Sequence, residues 1–260
     1  MAVDCNGYIT LPKLNELQPE FALVVAHVVK TLTQCFPERI HSLYVYGSVS
    51  EGRAKTGKSD LDMTVIFNDE LGQVTEAELT VVQCGLEKSH PLVSKIDFDC
   101  GLLHQVLYPD NKLSWGYWLK HHCVCVYGEN LSNRFHPFKP SKEIAVAVNG
   151  DFLPVLRELI AQMESSPDDN KKLQLQRAAA RKAIRATSIL RSEHDKDWPE
   201  TLEEHSIKLN ARYPDKAEVM DYLLAASHEP HADVADFKKR IMAFANWLNT
   251  EFHIQNSRLC

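Results

Sequence analysis

Apolar and polar residues change rhythm along this chain. From Pro19 to about Cys35 the apolar positions recur at helical intervals, and Pro37 stops the run. Ile40–Tyr46 is rich in β-branched and aromatic residues and ends at Gly47; Leu61–Phe67 alternates with polar residues and ends at Asn68-Asp69. The pattern then predicts a helix with Thr75 as N-cap, closing near His90-Pro91. Strands over Lys95–Cys100 and Val124–Tyr127 follow, the second ending at Gly128. Helices alternating with a few short strands predict an α/β (α+β) domain.

Beyond His136–Pro140 (HPFKP) the strand signals cease. Helices are predicted at about 141–164, 170–192, 199–212, 214–227 and 231–252, with Asp168-Asp169, Pro199, Pro214 and Pro230 marking boundaries. The expectation is a first domain over 1–138 and a helical domain over 139–260, with no internal repeat.

Composition narrows the classes. Of 260 residues, 44% are hydrophobic and 25% charged, which excludes a disordered or collagenous chain. A net charge of -6 supplies no overall positive field for nucleic acid, though a local basic site remains compatible with it. The apolar stretch Phe21–Val29 is interrupted by His27 and is too short to span a membrane. No secretory signal is read at the N-terminus, and seven scattered cysteines point to reduced thiols and a cytoplasmic protein. Cys123 and Cys125 lie two apart without a second pair, so packing on a strand face is favoured over zinc.

The chemistry concentrates in Tyr44–Phe67, YVYGSVSEGRAKTGKSDLDMTVIF. Gly47 lets the backbone turn sharply and approach a ligand. A helix starting at Ser48 would aim free N–H groups at the same point, where phosphate is the natural occupant. Asp60 and Asp62 are two apart on a strand and project from one face, so they repel unless a cation lies between them. Hard oxygen ligands at that spacing suit Mg²⁺, which also takes phosphate oxygens. A two-metal site needs a third carboxylate. The strand KIDFDC offers Asp97 between Ile96 and Phe98, with Asp99 projecting to the same face; Asp97 is preferred and Asp99 stays open.

Gly47-Ser48, Asp60-Leu61-Asp62 and Ile96-Asp97-Phe98, in that order, resemble the nucleotidyltransferase superfamily typified by DNA polymerase beta. The resemblance implies a catalytic domain with a small mixed sheet, two Mg²⁺ ions held by Asp60, Asp62 and Asp97, and transfer of a nucleoside monophosphate from a triphosphate to a hydroxyl. Asp97 would assist in deprotonating the acceptor, and Ser48 would touch the triphosphate. The whole chain looks most like the two-domain bacterial aminoglycoside and lincosamide nucleotidyltransferases, which place the substrate cleft between the catalytic domain and a helical bundle. HHCVCVYGENL resembles their strand ending in Tyr-Gly, and QRAAARKAIRATSIL resembles their second bundle helix. Where several aminoglycoside enzymes have Glu as third acid, this chain has Asp97 or Asp99.

Further candidates are read from spacing. Arg177, Arg181 and Arg185 recur every four residues and share a helix face, opposite a stripe of Leu173, Ala180, Ile184 and Thr187. That face is either solvated or binds triphosphate through Arg181 and Arg185. Arg53, Lys55 and Lys58 surround the acidic pair, and Ser59 either orients Asp60 or forms a turn. Trp115, Tyr117 and Trp118 either stack on a substrate ring or fill a domain interface.

The resulting expectation is AMP transfer from ATP to a hydroxyl of a small molecule, an aminoglycoside-type antibiotic foremost, with pyrophosphate leaving. One rival keeps the chemistry and makes the acceptor a macromolecule, tRNA or protein. Another is a nucleotide-binding regulator without turnover.

Overall fold

The computed structural model describes residues 2–12, 17–69, 72–231 and 233–257, without the side chains of 73–75. The chain forms two compact units, Thr10–Phe138, and Lys139–Cys260 together with Met1–Ile9. The first nine residues thus group with the helical unit rather than with the rest of 1–138. Two contacts tie them there: the Ala2 amide donates to Trp198 O at 3.1 Å, and the Lys139 ammonium lies 4.9 Å over the Tyr8 ring.

In the first unit, α1 (Pro19–Cys35) carries Pro at its start and buries Phe21, Val24, Val25, Val28 and Leu32 along one face. Each such side chain contributes roughly 2 kcal/mol by leaving water. β1 (Ile40–Tyr46) follows, then the single turn α2 (Gly47–Ser50) and β2 (Leu61–Phe67). α3 (Gln73–Ser89) is the crossover to β3 (Ile96–Leu102), and it begins two residues before Thr75, whose side chain lies outside the described residues. α4 (Leu103–Val106), α5 (Tyr117–His121) and β4 (Val124–Gly128) complete the unit.

The four strands lie in the order β3-β2-β1-β4. β1 runs antiparallel to β2 and β4, whereas β2 and β3 are parallel, so the sheet is mixed. Its faces differ. Leu43, Val45, Met63, Val65 and Ile96 pack under α1 and α3, where Val28, Leu32 and Leu86 meet them. The other face carries Tyr44 and Ile66, packed against Val106, Leu119 and Leu131. Tyr44 is buried yet satisfied: its hydroxyl donates to Glu129 O at 3.1 Å and accepts from Leu131 N at 2.8 Å.

The second unit is helical: α6 (Lys142–Asn149), α7 (Phe152–Ser165), α8 (Asp169–Ala186), α9 (Leu202–Arg212), α10 (Ala217–His228) and α11 (Val234–Ser257). The single helix expected over 141–164 is two. Pro154 has no N–H for a bond to the carbonyl of Gly150, and its ring would strike that carbonyl if the helix ran through. α9 starts later than expected because Thr201 caps it, accepting from Glu204 N at 3.1 Å. Ala179, Ala180 and Ala183 on α8 are fully buried, so α7 and α10 pack closely on it. Among the described residues, no helix is long and apolar enough to cross a membrane. The six described cysteines are free; Cys260 lies outside the described residues.

Candidate functional site

β1 delivers the chain into α2 at Gly47, one residue earlier than the start expected at Ser48. Gly47 has φ 71°, a left-handed conformation that favours glycine, and its α-carbon faces a side chain of the next strand. Ser48 is half-buried in this turn, and its carbonyl accepts from Arg53 N at 3.0 Å.

Strand pairing then gathers the acids. In the sheet Asp62 pairs with Tyr46 on one side and Asp97 on the other, and Thr64 pairs with Asp99. Because side chains alternate along a strand, Asp62, Asp97 and Asp99 share the face opposite α1 and α3. Asp60 stands immediately before β2, two residues from Asp62. The Asp62 carboxyl is pushed up to about 7, chiefly by burial and then by the charges of Asp60, Asp97 and Asp99, against which Lys95 acts.

Three of the acids are held by partners that composition and spacing did not single out. Ser94 Oγ donates to Asp60 and also to Lys58 O at 3.1 Å. Lys95 forms an ion pair with Asp97. The Tyr46 hydroxyl donates to Asp99, whose carboxyl burial pushes up. Lys95 directly precedes β3, two residues from Asp97, a spacing that could have flagged the pair; Ser94 carries no such signal. Asp60, Asp97 and Asp99 thus each have their own donor. Among the described residues, no three Asp, Glu, His or Cys side chains gather closely enough to hold a metal ion as they stand. The donor chemistry nevertheless fits a hard divalent cation. Asp62, Asp97 and Asp99 share one face with Asp60 just before it, and Asp62, pushed up chiefly by burial, also feels repulsion from the other acids that a cation would relieve.

The remaining candidates separate. Ser59 forms the turn, its hydroxyl accepting from Lys55 N at 2.9 Å. Arg53 is exposed and paired with Glu51. Trp118 donates through Nε1 to Thr64 Oγ1 at 3.1 Å and meets the Tyr46 ring at 4.7 Å. Trp115 lies over Gly101, where a β-carbon would come within 2.7 Å of the indole. Trp115 and Trp118 thus pack on the acidic face of their own sheet. Arg181 and Arg185 stand on α8 in the helical unit, both engaged with neighbours; the charge of Arg185 reaches His205. On the same face, Arg177 donates to His228 O at 3.2 Å.

No protein-family model and no curated protein sequence matches the chain. Among solved structures it is similar to the crystal structure of spectinomycin adenyltransferase AAD(9) from Enterococcus faecialis with ATP and spectinomycin. The TM-score is 0.53 at 17% identity, over 89% of this chain and 99% of that one. A likeness of that extent covers residues of both units, and the chain has the nucleotidyltransferase fold of that enzyme.

Proposed function

We propose that this chain is a nucleotidyltransferase that moves AMP from ATP to a hydroxyl of a small molecule, an aminoglycoside-type antibiotic foremost, and releases pyrophosphate. The observation that carries the reading is that Asp62, Asp97 and Asp99 share one sheet face, with Asp60 two residues before Asp62, beside the Gly47–Ser50 turn. The fold shared with an adenyltransferase crystallised with ATP and spectinomycin supports a triphosphate donor and a small-molecule acceptor.

Asp60 and Asp62, with Asp97 completing the set, would hold two Mg²⁺ ions, whose charge offsets that of the triphosphate. The chain's own residues do the rest. Ser48 and the amides of its turn donate to phosphate oxygens. Arg53 neutralises phosphate charge on leaving Glu51. The acceptor oxygen attacks the α-phosphorus, the bond to pyrophosphate breaks, and the hydroxyl proton passes to the Asp97 carboxylate.

The test is pyrophosphate release by the full chain with Mg²⁺, each of four triphosphates, and a panel of aminoglycosides and lincosamides. Release with ATP and one acceptor is expected, and its loss with a chelator or with Asp62→Asn. Label transferred to tRNA or protein instead would move the acceptor to a macromolecule. No release with any acceptor would leave a nucleotide-binding regulator.

A further inference from the structure

The segment that leads into β2 is laced to the segment that leads into β3. The Gly57 amide donates to Leu92 O at 2.7 Å, the Ser94 amide to Ser59 O at 3.0 Å and the Leu61 amide to Lys95 O at 2.9 Å. The main chain on both sides of Asp60 is thereby fixed, and so is that of Lys95. What can still adjust is the side chains. Asp60 is held by the Ser94 hydroxyl and Asp97 by the Lys95 ammonium. The side chains of that ion pair are 37% and 35% exposed, open enough for an ion to reach them from solvent.

Lys95 serves more than Asp97. Its charge also acts on Asp62 and Asp99, against the repulsion these carboxylates receive from their acidic neighbours. One ammonium therefore works on three of the acids that the β2–β3 register sets side by side. A divalent cation would bring twice that charge to the same oxygens, and carboxylate oxygen is its natural ligand. Because no three acid side chains among the described residues gather closely enough to hold a metal ion as they stand, a cation enters only where a present partner gives way. Lysine suits that exchange: it is a point charge on a flexible stem, and an ion pair this exposed is weak. Ser94 suits it too. Its hydroxyl has one proton and two acceptors, Asp60 and Lys58 O at 3.1 Å, so the carbonyl keeps it satisfied when Asp60 turns away.

We propose that the Lys95 ammonium and a divalent cation exclude one another at Asp97: either neutralises that carboxylate, and binding of the cation releases the ammonium. Lys95 is thus a positioning residue that sets the cation's affinity through Asp97. The inference rests on the reading of these acids as a Mg²⁺ site.

Two measurements on the full chain test it. In the first, amines are acetylated briefly with and without saturating Mg²⁺, and labelling of each lysine is read by peptide mass spectrometry, with Lys238 of the helical unit as internal reference. Mg²⁺ should raise labelling of Lys95 at least threefold relative to Lys238, and Asp62→Asn should abolish the rise. In the second, Mn²⁺ affinity is measured by electron paramagnetic resonance of the free ion. Lys95→Gln, which removes the competing charge, should bind Mn²⁺ at least tenfold more tightly. The labelling arm uses the unaltered chain, so the proposal stays testable where Lys95→Gln fails to fold. Saturable Mn²⁺ binding with unchanged Lys95 labelling, or with no gain in folded Lys95→Gln, overturns the proposal and leaves the Mg²⁺ site standing. Absence of saturable Mn²⁺ binding in both chains overturns the two together.

Discussion

A β-carbon placed on Gly47 would lie 2.6 Å from Asp62 Oδ2. The turn after β1 and the carboxylate of β2 are thus in contact, and nothing larger than hydrogen fits between them. Gly47→Ala combines a strained φ of 71° with that collision. The strain costs about 1–2 kcal/mol. Displacing the acid by about an ångström costs roughly 100-fold in rate. Urea melts should show the first loss, and pyrophosphate release the second.

Asp62→Asn should separate stability from activity. The carboxyl titrates at about 7 in the folded chain against an ordinary value of 3.8. Between those values the unfolded chain has released a proton that the folded chain retains, so stability falls as pH rises, and the full cost stands above pH 7. Removing the charge should stabilise the fold at pH 8 by on the order of 2 kcal/mol and leave pH 4 stability unchanged. Transfer should vanish. An unaltered melting temperature at pH 8 would contradict the electrostatic account.

Tyr46→Phe removes the donor to Asp99, a carboxyl that burial already pushes up. Asp99 keeps access to water, so the lost bond costs about 1 kcal/mol. The loss should be larger at pH 8, where Asp99 is ionised, than at acidic pH, where it is protonated. Chemical denaturation at the two pH values measures the difference.

His205 should set an acid limit on the helical unit. Burial lowers its pKa from 6.5 to about 4. Between these values the unfolded chain binds a proton that the folded chain refuses, so stability is complete above 6.5 and declines toward pH 4. The span corresponds to about 3 kcal/mol. His205→Asn should flatten that slope in melts between pH 4 and 7.

The strands that frame the site were legible because one local rule governs them. Ile40–Tyr46 and Leu61–Phe67 have the bounds their composition suggests, each ended by a residue that breaks a strand. Asp60-Leu61-Asp62 was legible for the same reason: it is a local pattern at the start of a single strand. Ser94 and Tyr46 as partners of those acids were not. Their roles arise from which strand lies beside which, and Tyr46 reaches Asp99 across β2 only in the order β3-β2-β1. The split of the expected 141–164 helix turned on Pro154, whose effect is felt four residues upstream. The grouping of the first nine residues with the helical unit depends on Trp198, far along the chain.

The parallel ladder between β2 and β3 acts as an alignment gauge. Its register sets Asp62 against Asp97 and, by the same spacing, seats Ile96 among the buried residues beneath α1 and α3. A slip of one residue would carry Asp97 and Asp99 into the oil and lift Ile96 and Phe98 into water. Misthreaded copies would therefore announce themselves as unstable before they could persist as inactive, so that proofreading of the fold doubles as proofreading of the chemistry.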